Sequence, residues 1–222
     1  MRLFVAAFLR QEGSTENALF MRSAKESSLA GVELVKVADM VELDEERGWI
    51  RDSRQGDHAA FAALVRLHQQ MIHAVTFRMT GSEADAEDLA QETFIQAFRQ
   101  LHYFRGDSKF SSWLYRIAVN LCLNWKRRQG RQERLQAAWL SEQVASAPED
   151  HRSGTDARVQ EALMLLKPKM RAAVVLTIYE GLNHGEAARA LGCSETTVSW
   201  RLFVARRKLK ELLQDVKPAS HE

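Results

Sequence analysis

Between Phe104 and Arg131 the chain reads FRGDSKFSSWLYRIAVNLCLNWKRRQGR, a turn-rich loop followed by a segment with helical spacing. On a helical period Trp113, Arg116, Asn120, Asn124 and Arg127 fall at i, i+3, i+7, i+11 and i+14, so an aromatic ring, two amides and cations share one stripe. A ring can stack on a base face, and an amide can both donate to and accept from a base edge. Reading duplex DNA in a groove needs neither a stacking ring nor clustered amides, whereas a melted strand offers both faces and edges. The stripe therefore points to single-stranded nucleic acid. The same spacing also fits an amphipathic helix with a solvated basic end, and the stripe alone leaves both readings open.

A second cluster lies near the C-terminus. Gly192, Cys193 and Ser194 make a tight turn between two helical patterns, and Val198, Leu202, Ala205 and Leu209 fall inward on the second of them. Its opposite side carries Thr196, Trp200, Val204 and Arg207, flanked by Thr197, Arg201 and Arg206. A recognition helix reads bases with its first turns and grips phosphate with its flanks. Thr196, Thr197, Trp200 and Arg201 are then the base-side residues, and Arg206, Arg207 and Lys208 the phosphate-side ones. A helical hairpin with a solvated basic end is the plainer alternative.

Every periodic segment is helical and no alternating strand pattern with hairpin turns is visible, so the expected fold class is all-α. Leu114, Ile117, Leu121 and Trp125 form the apolar stripe expected to anchor the strand-binding helix. A helix from about Asp57 is expected to bury Phe61, Leu64, Val65, Leu67 or His68, Ile72 and Val75, and to end at Thr80 and Gly81. Ser82 caps the next, which begins with Glu83, Asp85 and Glu87 at the positive end of the helix dipole. Its inner face is expected to hold Ala86, Leu89, Ala90, Phe94, Ala97, Phe98 and Leu101, with Asp85, Asp88, Glu92 and Gln96 or Arg99 outward. Residues 130–156, with Gly130, Pro148 and Gly154, read as a flexible linker containing some helix around Leu135 to Leu140. Beyond it Ala157 to Leu166 is helical, Pro168 opens a helix that Gly181 stops, Asn183 caps His184 to Leu191, and Ser194 caps a last helix to about Gln214.

Composition narrows the function classes. The 222 residues hold 31 Lys and Arg against 29 Asp and Glu, for a formal net charge of +2, so bulk charge announces no nucleic-acid partner. Local charge does: Lys126, Arg127, Arg128, Arg131 and Arg134 face only Glu133, and Arg201, Arg206, Arg207, Lys208 and Lys210 face no acid. Cys122 and Cys193 lack paired-ligand spacing, which argues against a disulfide framework or zinc site and for a reducing compartment. The histidines make no metal motif, and His184 reads as a helix-start residue. No Ser-His-Asp set, Walker loop or Gly-rich phosphate cradle is present, so neither catalysis nor a cofactor is expected. No apolar run reaches membrane-spanning length, and no insertion is expected. MRLFVAAFLR lacks a convincing cleavage site, giving a cytoplasmic expectation. Residues 1–43 are an extension without clear pattern, with Met1, Met21 and Met40 all possible starts.

Asp57 to Arg131, with FRGDSKFSSWLYRIAVN as its most specific stretch, resembles the promoter-melting region of bacterial sigma factors of the extracytoplasmic-function (ECF) subgroup. LKPKMRAAVVLTIYEGLNHGEAARALGCSETTVSWRLFVARRKL resembles that family's helix-turn-helix for the upstream promoter element. Together the two blocks cover about two-thirds of the chain in the family's order. The resemblance implies two small helical domains, 44–129 and 157–216, with a tail at 217–222. In the first, Trp113 looks like the wedge at the edge of the melted bubble. Asn120, aided by Asn124 and the Arg105 to Phe110 loop with Lys109, resembles the pocket for an everted base of the minus-ten element. Lys126, Arg127, Arg128 and Arg131 would hold the strand's phosphates. In the second, Thr196, Thr197, Ser199, Trp200, Arg201, Arg206, Arg207 and Lys208 match the minus-35 reader. Asp85, Asp88, Gln91, Glu92 and Phe94 resemble the surface for the clamp helices of the largest subunit of core RNA polymerase. The flap of its second subunit, promoter DNA and an anti-sigma factor are the further partners implied, with action in a stress or envelope response.

The chain departs from the family where Trp200 replaces a small residue and Val204 a frequent cation, which leaves the upstream sequence unassigned. Two rival functions exist. A polymerase-independent helix-turn-helix regulator would have no use for Trp113, Asn120 or the acidic stripe. A sigma mimic that sequesters an anti-sigma factor would have no use for the basic runs, and such mimics carry a receiver domain for which this length has no room.

Overall fold

The computed structural model describes residues 44–139 and 155–213; the extension at 1–43, most of the expected linker and the tail at 217–222 lie outside the described residues. Those described are helical throughout, with no strand among them, and they group into two compact units.

The first unit comprises residues 44–68 and Gln100–Tyr103. Helix α1 (44–54) has no counterpart in the sequence expectations, because its stretch is rich in charge and turns only Ile50 and Ser53 fully inward. Gly56, at φ 97°, lets the chain reverse, and the Asp57 carboxylate accepts from the Ala59 and Ala60 amides at 2.7 and 3.2 Å to start α2 (His58–Thr80). Between Leu67 and His68 it is His68 that turns inward, because its Nε2 meets Glu46 Oε1 of α1 at 2.7 Å while Leu67 stays exposed. A 3-10 turn, Leu101–Tyr103, closes the unit: Leu101 is buried and Arg54 donates to the His102 carbonyl at 3.3 Å.

The second unit runs from Gln69 to Arg99 and from Phe104 onward. The rest of α2 buries Ile72, Val75, Thr76 and Met79, then stops at Gly81, whose φ of 77° few other residues adopt. Ser82 Oγ accepts from the Asp85 amide at 3.3 Å and starts α3 (Glu83–Gln100). The Thr76 hydroxyl donates to the Ala86 carbonyl at 2.8 Å and so ties α2 to α3. The inner face of α3 is Ala86, Leu89, Ala90, Thr93 and Ala97. Phe98 was expected inside and is 38% exposed, beside Ile95 at 45%. Thr93 takes the inward place because its hydroxyl is satisfied by the Leu89 carbonyl at 2.6 Å.

Helix α4 (Phe110–Trp139) passes straight through Gly130. One glycine in a helix costs about 1 kcal/mol, which an Arg-, Gln- and Ala-rich sequence offsets. Then follow α5 (Thr155–Met164) and α6 (Pro168–Val174), the latter with proline at its first turn and a continuation through the wider turn Val175–Tyr179. Asn183 and Glu186 cap α7 (His184–Leu191) reciprocally, and Gly192 closes it in the left-handed region at φ 59°. Helix α8 (Glu195–Leu213) lays Val198, Leu202, Ala205 and Leu209 on α6 and α7, as the spacing predicts.

This C-terminal group packs on α4 and meets the end of α2, where the Gln160 side chain donates to the Phe77 carbonyl at 3.1 Å. Arg171, 2% exposed, donates to the carbonyls of Leu163, Met164 and Leu166 on one side and of Met79 on the other, answering carbonyls that two helix ends leave unpaired. Burial lowers its pKa to about 10 and raises that of buried Cys122 to about 12. Nearby, the Tyr115 hydroxyl donates to Glu180 at 2.8 Å, Arg78 approaches the same carboxylate at 3.5 Å, and the Arg78 guanidinium lies 4.4 Å from the Tyr179 ring centre.

Candidate nucleic-acid interface

Helix α4 presents the expected polar stripe to solvent. Arg116, Asn120, Asn124, Arg127 and Arg128 are all exposed, and the Arg127 guanidinium donates to the Asn124 side-chain oxygen. That bond engages the Asn124 oxygen and leaves its amide nitrogen as a donor, with a cation beside it. Lys126 is half-buried, its Nζ 5.8 Å from the centre of the Trp125 ring, and Arg131 is exposed one turn on. The apolar stripe, however, is rotated from the expected one. Leu114, Tyr115, Ala118, Val119 and Cys122 are buried, and Ile117, Leu121 and Trp125 are half-buried at its margin. The rotation arises because α7 also packs on α4 and widens the arc withdrawn from water.

Trp113 is not a free-standing ring. It lies half-buried against Phe104 and Phe110, with centroids at 5.3 and 5.5 Å, and those two rings are edge-on at 5.4 Å. The cluster anchors both ends of the exposed loop carrying Arg105 and Lys109, in which Gly106 makes the turn at φ 81°. A base that stacks here therefore meets a ring held in place on its far side, with little side-chain freedom left to lose.

On α3 the expected acidic face divides. Asp88 and Gln91 are exposed, while half-buried Glu92 accepts from Gln96 at 2.8 Å and Phe94 is half-buried. Asp85 is half-buried and accepts from the Trp125 indole at 3.2 Å, which makes it a brace between α3 and α4. Ile95 and Phe98 border the face and were absent from the expected site. Their i, i+3 spacing beside Asp88 and Gln91 was a visible signal, but Phe98 was read as core and Ile95 was not singled out.

On α8 the residues expected to read DNA gather on one side, but most of their polar groups are already engaged. Thr196 and Thr197 hydroxyls lie 2.9 and 2.8 Å from Ser194 Oγ, which caps the helix through the Thr197 amide. Ser199 donates to the Glu195 carbonyl at 3.0 Å, so His184 Nδ1, 2.9 Å away, is left to donate to Ser199. Half-buried Arg201 turns back to Cys193 Sγ at 3.5 Å, and Lys208 donates to the Leu165 carbonyl at 2.8 Å. Arg206 is half-buried and Arg207 exposed. Trp200 stands 58% exposed, joined by Phe203 at 67%, a residue the sequence reading passed over.

Residues 64–132 match the family model for Sigma-70 region 2, and residues 156–209 that for Sigma-70, region 4. A relative from Mycolicibacterium smegmatis, the ECF RNA polymerase sigma factor SigE, is 37% identical over 91% of this chain and 83% of its own. The chain belongs to the ECF sigma factors. Two solved structures are similar: sigma factor RpoE from Bartonella quintana bound to the anti-sigma factor NepR, and CnrH bound to the cytosolic domain of CnrY. RpoE is 27% identical over 71% of this chain and 98% of its own, with TM-score 0.59. CnrH is 29% identical over 78% and 99%, with TM-score 0.59. Region 2 of this ECF sigma factor thus spans most of α2, all of α3 and much of α4, and region 4 spans α5 to α8.

Proposed function

We propose that the chain carries core RNA polymerase to promoters and opens them, with residues 44–129 taking the minus-ten element and 157–216 the minus-35 element. The observation that carries this is the exposed line of Arg116, Asn120, Asn124 and Arg127, which starts at the Trp113 ring cluster. Asn120 reads an everted base, the clustered rings stack at the edge of the opened region, and Arg105, Lys109, Lys126, Arg127, Arg128 and Arg131 hold phosphates. Extruding a base costs a few kcal/mol and stacking returns about 1 to 3 kcal/mol per base, so opening needs the polymerase's further contacts.

Asp88, Gln91, Glu92 and Phe94, joined by Ile95 and Phe98, form the surface for the polymerase clamp helices, and region 4 meets the flap. The chain performs no reaction of its own and works in the cytoplasm, where polymerase and promoters are. The RpoE structure holds a sigma factor with an anti-sigma factor, and we extend that to this chain as control by an anti-sigma factor. Run-off transcription with purified core polymerase and a promoter library tests the proposal. Discrete starts that need the chain are expected; binding to duplex promoter of equal strength without polymerase would make it an independent regulator instead.

A further inference from the structure

Helix α8 presents an unusual reading surface. Among its base-side residues the threonine hydroxyls are turned on Ser194, Ser199 is held between His184 and the Glu195 carbonyl, and Arg201 is drawn back to Cys193. Arginine normally reads guanine through two parallel hydrogen bonds from an extended guanidinium, and this one is folded onto the turn. Beside the exposed Thr196 and Ser199, whose hydroxyls are so engaged, the large displayed side chains are apolar: Trp200 and Phe203, at i and i+3, 58% and 67% exposed. Single exposed apolar side chains are ordinary, but two neighbouring aromatic rings on a recognition helix make a patch. Exposed Arg207 continues their line at i+7, so the patch ends in a cation suited to a phosphate.

The major groove offers one apolar group to such a surface, the 5-methyl of thymine. Resting on the upstream-element role proposed above, we infer that Trp200 and Phe203 are specificity-determining residues of α8 and that they read thymine methyl groups in the upstream element. Trp200, in the second turn, meets the element first, and Phe203 extends the contact along the groove. Specificity then comes from methyl positions more than from guanine.

Deoxyuridine lacks only the thymine 5-methyl, which makes it the probe. The holoenzyme, reconstituted from core polymerase and the full chain, is titrated on a promoter taken from the library, with each upstream thymine replaced in turn. A loss of about fourfold at one or two positions is expected, the worth of one buried methyl group. Trp200→Ala or Phe203→Ala should abolish the sensitivity at one of those positions while leaving core-polymerase affinity and the helical circular-dichroism signal unchanged. Full initiation that is indifferent to deoxyuridine everywhere, or a selected upstream element without thymine, overturns the inference and leaves the sigma role standing. Loss of core-polymerase affinity in Trp200→Ala makes the patch a protein-docking surface and also overturns it. Failure to initiate on any template removes the sigma role itself, and the inference with it.

Discussion

Asn120 has the clearest assignment of any single residue, because it is exposed on α4 between Arg116 and Asn124 while Val119 and Cys122 beside it are buried. Its substitution therefore removes the proposed base contact without opening the core. Asn120→Ala is expected to weaken open-complex formation by about 1 to 3 kcal/mol, with core-polymerase affinity unchanged, as permanganate footprinting alongside a binding titration would show; unaltered opening would remove the residue from the base pocket. This position was legible from spacing alone, since helical periodicity separates Asn120 from Leu114 without any knowledge of what packs around them. Trp113 and Arg201 were legible only as residue types. Where Trp113 rests depends on Phe104, nine positions back across a loop, and the retreat of Arg201 depends on Cys193 in the preceding turn.

For the helices, α3 is the informative case. Its inner and outer faces follow from period, yet Phe98 was assigned inward by hydrophobicity while Thr93 took an inward place through a bond to the Leu89 carbonyl. Hydropathy patterns carry no record of such local satisfaction. The outer face makes a charge prediction. Asp88→Lys with Glu92→Lys is expected to reduce core-polymerase affinity about tenfold at low salt, with the difference shrinking as salt rises; equal affinity in fluorescence anisotropy would move the docking surface elsewhere. Helix α1 escaped notice because charged residues dominate it and its anchoring bond runs from Glu46 to a histidine 22 positions on. The cap of α7 was visible in Asn183, and its reciprocal partner Glu186 completes a pattern that sequence also contained.

Across the whole molecule, the packing of α5 to α8 on α2 and α4 could not be read from sequence, because Arg171, Tyr115, Arg78 and Glu180 carry no periodic signature of their joint burial. Glu180 gives this packing a pH dependence. Burial raises its pKa, outweighing the lowering by the Tyr115 hydroxyl and by Arg78. The folded state then holds a proton that the unfolded chain has released, so Glu180's contribution is complete below the ordinary carboxylate range and is lost as pH rises through the raised value. Thermal melts from about pH 4 to about pH 7 should show the wild type losing stability relative to Glu180→Gln as pH rises. Parallel curves would mean that the carboxylate is ionised throughout.

The bond between the Asp85 carboxylate and the Trp125 indole joins α3, which carries the proposed polymerase surface, to α4, which carries the proposed DNA stripe. A partner that recruited Asp85 would have to take it from that indole, which would join the two proposed engagements through one bond. With five tryptophans in the chain, only a fluorescence change that Trp125→Phe removes would report on that bond.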